Sequence, residues 1–61
     1  MKMRHIVKLR SGANEVYDFD TKAESDNALK NALAINKTFN TIKCIWVEPK
    51  NKPWKRQRID L

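Results

Sequence analysis

The sequence predicts an α+β domain, a two-layer β-β-α-β unit in which one amphipathic helix lies on a small, mainly antiparallel sheet. Three observations carry that expectation: alternation from Met3 to Arg10, a helix-start signature at Thr21-Lys22-Ala23-Glu24, and a β-branched, aromatic run from Phe39 to Val47. With 61 residues there is room for one domain. A chain of this length buries only about 60% of its unfolded surface, so the core is marginal.

In the first strand Met3, His5, Val7 and Leu9 alternate with Arg4, Ile6, Lys8 and Arg10, the pattern of a half-buried β-strand. Ser11-Gly12-Ala13-Asn14 then supplies turn chemistry, since Gly tolerates positive φ and Asn hydrogen-bonds its own backbone. A second arm from Glu15 to Asp20 completes a hairpin. It sets Tyr17 and Phe19 toward the core and Val16, Asp18 and Asp20 away from it. Thr21 to Glu24 fits the reciprocal capping box, in which the Thr hydroxyl accepts from the Glu backbone N–H and the Glu side chain reaches back. Glu24 and Asp26 suit the positive end of the helix dipole. Ala28, Leu29, Ala32, Leu33 and either Ile35 or Asn36 recur at helical spacing, which predicts a helix of about 14 residues. Asn36, able to adopt the left-handed conformation, is its expected stop.

Phe39 to Val47 is the strongest strand signal, and Pro49 ends it by withholding an N–H. Strict alternation puts Ile42, Cys44 and Trp46 on the core side, opposite Thr41, Lys43, Ile45 and Val47. Both sides are substantially apolar, which marks the strand as central or covered on its outer face. Arg56 to Leu61 fits either a short fourth strand, with Gln57, Ile59 and Leu61 sharing a face, or an irregular tail. The expected organisation is a compact domain over residues 1–49 and a basic C-terminal extension over 50–61.

The formal charge of +6 is unevenly spread. Residues 11–27 hold five carboxylates against Lys22 alone, a net −4, so everything else carries +10. Lys50, Lys52, Lys55, Arg56 and Arg58 fall within nine residues, beside Pro49, Pro53 and Trp54. Five cations cannot be buried together unpaired, so this segment belongs on the surface or against something negative. If the first and third strands are neighbours, Arg4, Lys8, Arg10 and Lys43 extend the basic surface onto the sheet.

Recognisable reaction chemistry is sparse. A nucleophile needs a base and an orienting group, yet there is one Cys, one His and two Ser, with no nucleophile-elbow or Gly-rich context. Cys44 reads as a buried small hydrophobe and His5 as a strand residue with a satisfied ring nitrogen. Asp18 and Asp20 share a strand face but lack the further oxygen ligands a cation needs. The expectation is no enzymatic activity, no cofactor and no metal. The single Cys and the lack of an apolar N-terminal run fit a cytoplasmic setting with no membrane contact.

What remains is cations with aromatics. Lys and Arg neutralise phosphates and release counterions, while Trp54, Trp46 or Tyr17 offers a ring on which a base can stack. The expected function is a basic module that binds DNA or RNA through Arg4, Lys8, Arg10, Lys43, Lys50, Lys52, Trp54, Lys55, Arg56 and Arg58. The same groups suit an acidic protein surface. For Trp54 the alternative is packing back over the sheet edge, and for Trp46 a place in the core or in a homodimer interface.

The succession of hairpin, capped helix and strand, with Ala23-Glu24-Ser25 leading into Ala28-Leu29 and Phe39 through Val47 before Pro49, resembles the small T7-type phage inhibitors of bacterial RNA polymerase. The resemblance spans roughly residues 4–49 and is one of element order and length. It implies a phage protein that binds and occludes a host nucleic-acid enzyme through protein-protein contacts. The basic balance and the 50–61 segment are additions to that pattern.

Overall fold

Residues 1–61 are all described by a computed structural model. The elements in chain order are β1 (Met3–Leu9), β2 (Asn14–Phe19), α1 (Lys22–Phe39), β3 (Ile42–Pro49), a single 3-10 turn (Pro53–Lys55) and β4 (Gln57–Asp60). The four strands form one sheet in the order β2-β1-β3-β4, every neighbouring pair antiparallel. This is the expected α+β architecture with the fourth strand present. Residues 50–61 are therefore not a projecting extension of a 1–49 domain. They turn back and pair with β3, and Leu61 packs against the core.

The β1–β2 turn closes through Gly12, whose φ of 98° lies in the left-handed region; its N–H donates to the Leu9 carbonyl at 3.0 Å. That conformation strains any residue with a Cβ. At the helix start Thr21 accepts from the Glu24 N–H at 3.2 Å, one of the two bonds of the expected capping box. The helix runs 18 residues and ends at Asn40, in the left-handed conformation with φ 51°. Asn36 is not the stop. It lies inside the helix, and its side-chain oxygen accepts from the Ile42 N–H at 2.9 Å, fixing where β3 begins.

The half-buried helix residues Ala28, Leu29, Ala32, Leu33 and Asn36 continue one stripe from the buried Ser25, while Ile35 stays 53% exposed. Leu29 and Ala32 rest on a core of Val7, Ile42 and Ile45, joined by Leu9, Val47 and Leu61. Below this stripe the only buried imidazole meets the only buried hydroxyl. His5 Nε2 and Ser25 Oγ hydrogen-bond at 2.7 Å, and the His5 ring tilts against Phe19 with centroids 4.6 Å apart. This bond satisfies two polar groups that burial would otherwise leave costly, and it pins the first turns of α1 to β1.

The alternation expected for β3 does not hold across its whole length. Lys8 pairs with Cys44 but Leu9 pairs with Ile42, so Lys43 is an extra residue in a β-bulge. Ile42 consequently shares the helix-facing side with Ile45, opposite Val7, and with Val47, opposite His5. Cys44 and Trp46 fall on the other side, against Lys8 and Ile6, contrary to the core-side placement that strict alternation gives. Cys44 is still only 1% exposed on this side.

The His5–Ser25 pair sets a pH dependence. Burial lowers the His5 pKa below its ordinary value near 6.5, partly opposed by the Asp26 carboxylate. In the unfolded chain His5 takes a proton more readily, so the folded state keeps its full stability above about pH 6.5 and loses it as pH falls through the lowered pKa. Urea unfolding at pH 7.5 and pH 5 will show lower stability at the acid value, with the difference diminished in His5→Gln. Ser25→Ala strands the imidazole nitrogen and costs about 1–3 kcal/mol at pH 7.5.

Candidate nucleic-acid interface

The helix covers one side of the sheet, and the opposite side is open. Register defines the residues on this open side: Arg4, Ile6 and Lys8 from β1, Val16 and Asp18 from β2, Cys44, Trp46 and Glu48 from β3, Arg58 and Asp60 from β4. Two of these rows are apolar at the centre, where Ile6 sits beside Trp46. The bulge decides that the indole goes outward.

Trp46 is half-buried, and two guanidinium groups lie over its ring, Arg56 at 5.2 Å and Arg58 at 5.3 Å from the centroid. Such cation–π contacts are worth roughly 0.5–1 kcal/mol each at accessible sites. Arg56 also donates to Glu48 Oε2 at 3.3 Å, and Glu48 is only 4% exposed, so its carboxylate depends on that partner. Arg58 donates to Asp60 Oδ1 at 2.7 Å, a bond that holds the guanidinium even further above its ordinary pKa. At the β1–β2 edge Arg4 donates to Asp18 at 3.1 Å and Lys50 approaches its other oxygen at 3.7 Å. The Arg4 hydrogen bond first, then the two nearby positive charges, hold the Asp18 carboxyl below its usual range.

The nine cations among the ten residues expected to form the binding surface thus divide into two kinds. Arg4, Lys50, Arg56 and Arg58 are each tied to a carboxylate, while Lys8, Arg10, Lys43, Lys52 and Lys55 have no ion-pair partner. Arg10 instead donates to the Leu61 carbonyl at 3.3 Å. Antiparallel pairing places Lys8, Arg10 and Lys43 at one end of the central strands and Lys50, Lys52 and Lys55 at the other. Arg56 and Arg58 lie between them. Trp54, carried on the 3-10 turn, does not pack back over the sheet edge; it is 73% exposed.

Glu48 was not legible as a member of this face. The signal for it was positional: two residues after Trp46 on a strand returning toward Arg56, it had to share the Trp46 side. Asp18, which lacks the further oxygen ligands a cation needs, is partnered by Arg4 and Lys50. No group of three or more His, Cys, Asp or Glu residues is placed to hold a metal ion. No helix is long and apolar enough to cross a membrane.

A concavity lies on the helix side, where α1 leaves β2 incompletely covered. Its volume is ≈ 430 Å³, and Tyr17, Phe19, Ala28, Ala32 and Ile35 contribute to its walls. Tyr17, 45% exposed, donates to Glu15 at 2.6 Å, which pushes its phenol above its ordinary pKa.

The two arginines over Trp46 differ in what they stabilise. Arg56→Ala leaves the buried Glu48 without its charged partner and will lower unfolding stability by about 1–3 kcal/mol in urea titrations. Arg58→Ala will leave stability nearly unchanged, because Asp60 stays solvated. Both will alter Trp46 emission. Comparison with protein-family models, curated proteins and solved structures finds no match to this chain.

Proposed function

We propose that this protein is a non-enzymatic nucleic-acid-binding module whose contact surface is the open side of the sheet. The observation that supports this reading best is the arrangement of unpaired cations at both ends of a face whose centre carries Arg56 and Arg58 over Trp46. Phosphates meet the end lysines, and the central guanidinium planes, held by Glu48 and Asp60, offer flat cationic surfaces to bases or to backbone. Electrostatic attraction supplies most of the affinity in such a mode.

The lysines without carboxylate partners are the informative ones to change, since removing them disturbs no internal bond. Lys8→Gln, Lys43→Gln, Lys52→Gln and Lys55→Gln will leave the thermal midpoint nearly constant. Each that contacts phosphate will lower the dependence of log affinity on log salt by about 0.7–0.9. Fluorescence anisotropy with labelled DNA and RNA over a salt series measures this. Absent binding at low ionic strength, or binding indifferent to salt, rejects the reading.

A second reading has its own supporting observation, the ≈ 430 Å³ groove beside the free edge of β2. An edge strand with unpaired backbone groups and an adjoining apolar groove suits strand addition by a protein partner. That is the mode in which a phage-type inhibitor would occlude a host nucleic-acid enzyme. Affinity capture from nuclease-treated lysate separates the two readings: a protein partner lost on Tyr17→Glu and retained in the lysine variants favours the second.

A further inference from the structure

Resting on the nucleic-acid reading, we infer that the ligand is single-stranded and lies along the β1 and β3 direction, with a base stacked on Trp54. Two features of the surface point to an unpaired strand. The first is Trp54 itself, an indole 73% exposed on the turn Pro53–Lys55, between Lys52 and Lys55 and near Lys50. A ring left in water among cations can gain from stacking only where a base presents its face, and duplex bases hide theirs within the stack. Pro53 fixes a backbone angle at the start of the turn, and the Lys55 N–H donates to the Lys52 carbonyl at 2.9 Å, so the platform is held in place.

The second feature is the position of the helix. Reading a duplex through the major groove by a helix needs one with a cationic outer surface. Here α1 lies on the side of the sheet opposite Arg56 and Arg58, and its exposed charges are mixed, Glu24 and Asp26 against Lys22, Lys30 and Lys37, so it offers no cationic surface like that of the open face. The open face is instead a track. Its strands of seven and eight residues span roughly 23–26 Å at the usual rise. Cations mark both ends, and Arg56 and Arg58 occupy the middle.

Trp46 is not the stacking ring. Both guanidinium groups cover it, so it serves to hold Arg56 and Arg58 flat while Trp54 takes the base. The two tryptophans divide the work.

The test uses the whole protein at low ionic strength with a labelled oligothymidylate of about 12 nucleotides and a duplex of equal length. The single strand will bind at least about tenfold more tightly, with quenching of tryptophan emission. Trp54→Ala, which removes a side chain 73% exposed, will abolish most of the quenching and weaken single-strand binding about tenfold. Trp54→Phe will recover part of the loss. A thermal melt confirms that the variants remain folded. Duplex binding as tight as single-strand binding, or a Trp54→Ala variant with unchanged affinity, overturns this inference while leaving the nucleic-acid reading in place. If neither probe binds, both fall.

Discussion

The insertion of Lys43 into the β1–β3 ladder governs the rest of the molecule, because it sets which residues of the central strand meet the helix. Without that extra residue, Ile42 and Ile45 would point to opposite sides, and the three-residue core of Val7, Ile42 and Ile45 could not form. A one-residue slip in a strand exchanges its two faces completely. Here the exchange happens partway along, so one strand contributes apolar residues inward at both ends while turning Trp46 and Glu48 outward. The hydrophobic core and the candidate interface are two results of the same irregularity.

That dependence explains what could be read in advance. Element order over the first 49 residues, the hairpin and the helix start were written in local patterns: alternation, a capping Thr and a turn Gly. Arg56 to Leu61 fits a strand or an irregular tail, so the last strand and its pairing with β3 emerge only in the structure. The side assignment of β3 was no more legible, since a bulge leaves no mark in a run such as Thr41-Ile42-Lys43-Cys44-Ile45, where both phases are apolar enough to face a core. The helix end was missed for a related reason. Asn36 has the chemistry of a stop, but its side chain is more valuable as an acceptor for the Ile42 N–H, and Asn40 takes the left-handed position four residues later.

The charged residues show a similar limit. Their clustering was evident from composition, yet which of them are engaged depends on contacts between residues distant in sequence. Arg4 finds Asp18 across the hairpin, and Arg56 finds Glu48 across the last turn. Surface pairs of this kind contribute little to stability when both partners are solvated. Their larger effect is to fix side-chain geometry, so that the arginines form a defined surface while the lysines at the ends of the sheet keep rotamer freedom. On the proposed nucleic-acid reading, the fixed guanidinium groups in the middle and the unpaired lysines at the ends would suit a flexible polyanion better than a uniform surface.

The free edge of β2 has a consequence for how copies of this chain behave toward one another. Six residues of unpaired ladder beside an apolar groove would ordinarily invite a second copy to add its own β2. A twofold pairing over the full strand, with Asn14 opposite Phe19, sets Glu15 against Asp18 twice, and Arg4 and Lys50 offset only the second of these charges. The acidic segment that looked like a counterweight to the basic ends therefore acts as a guard on the edge. The edge is thus protected by like charge set into the strand itself, with no covering element needed.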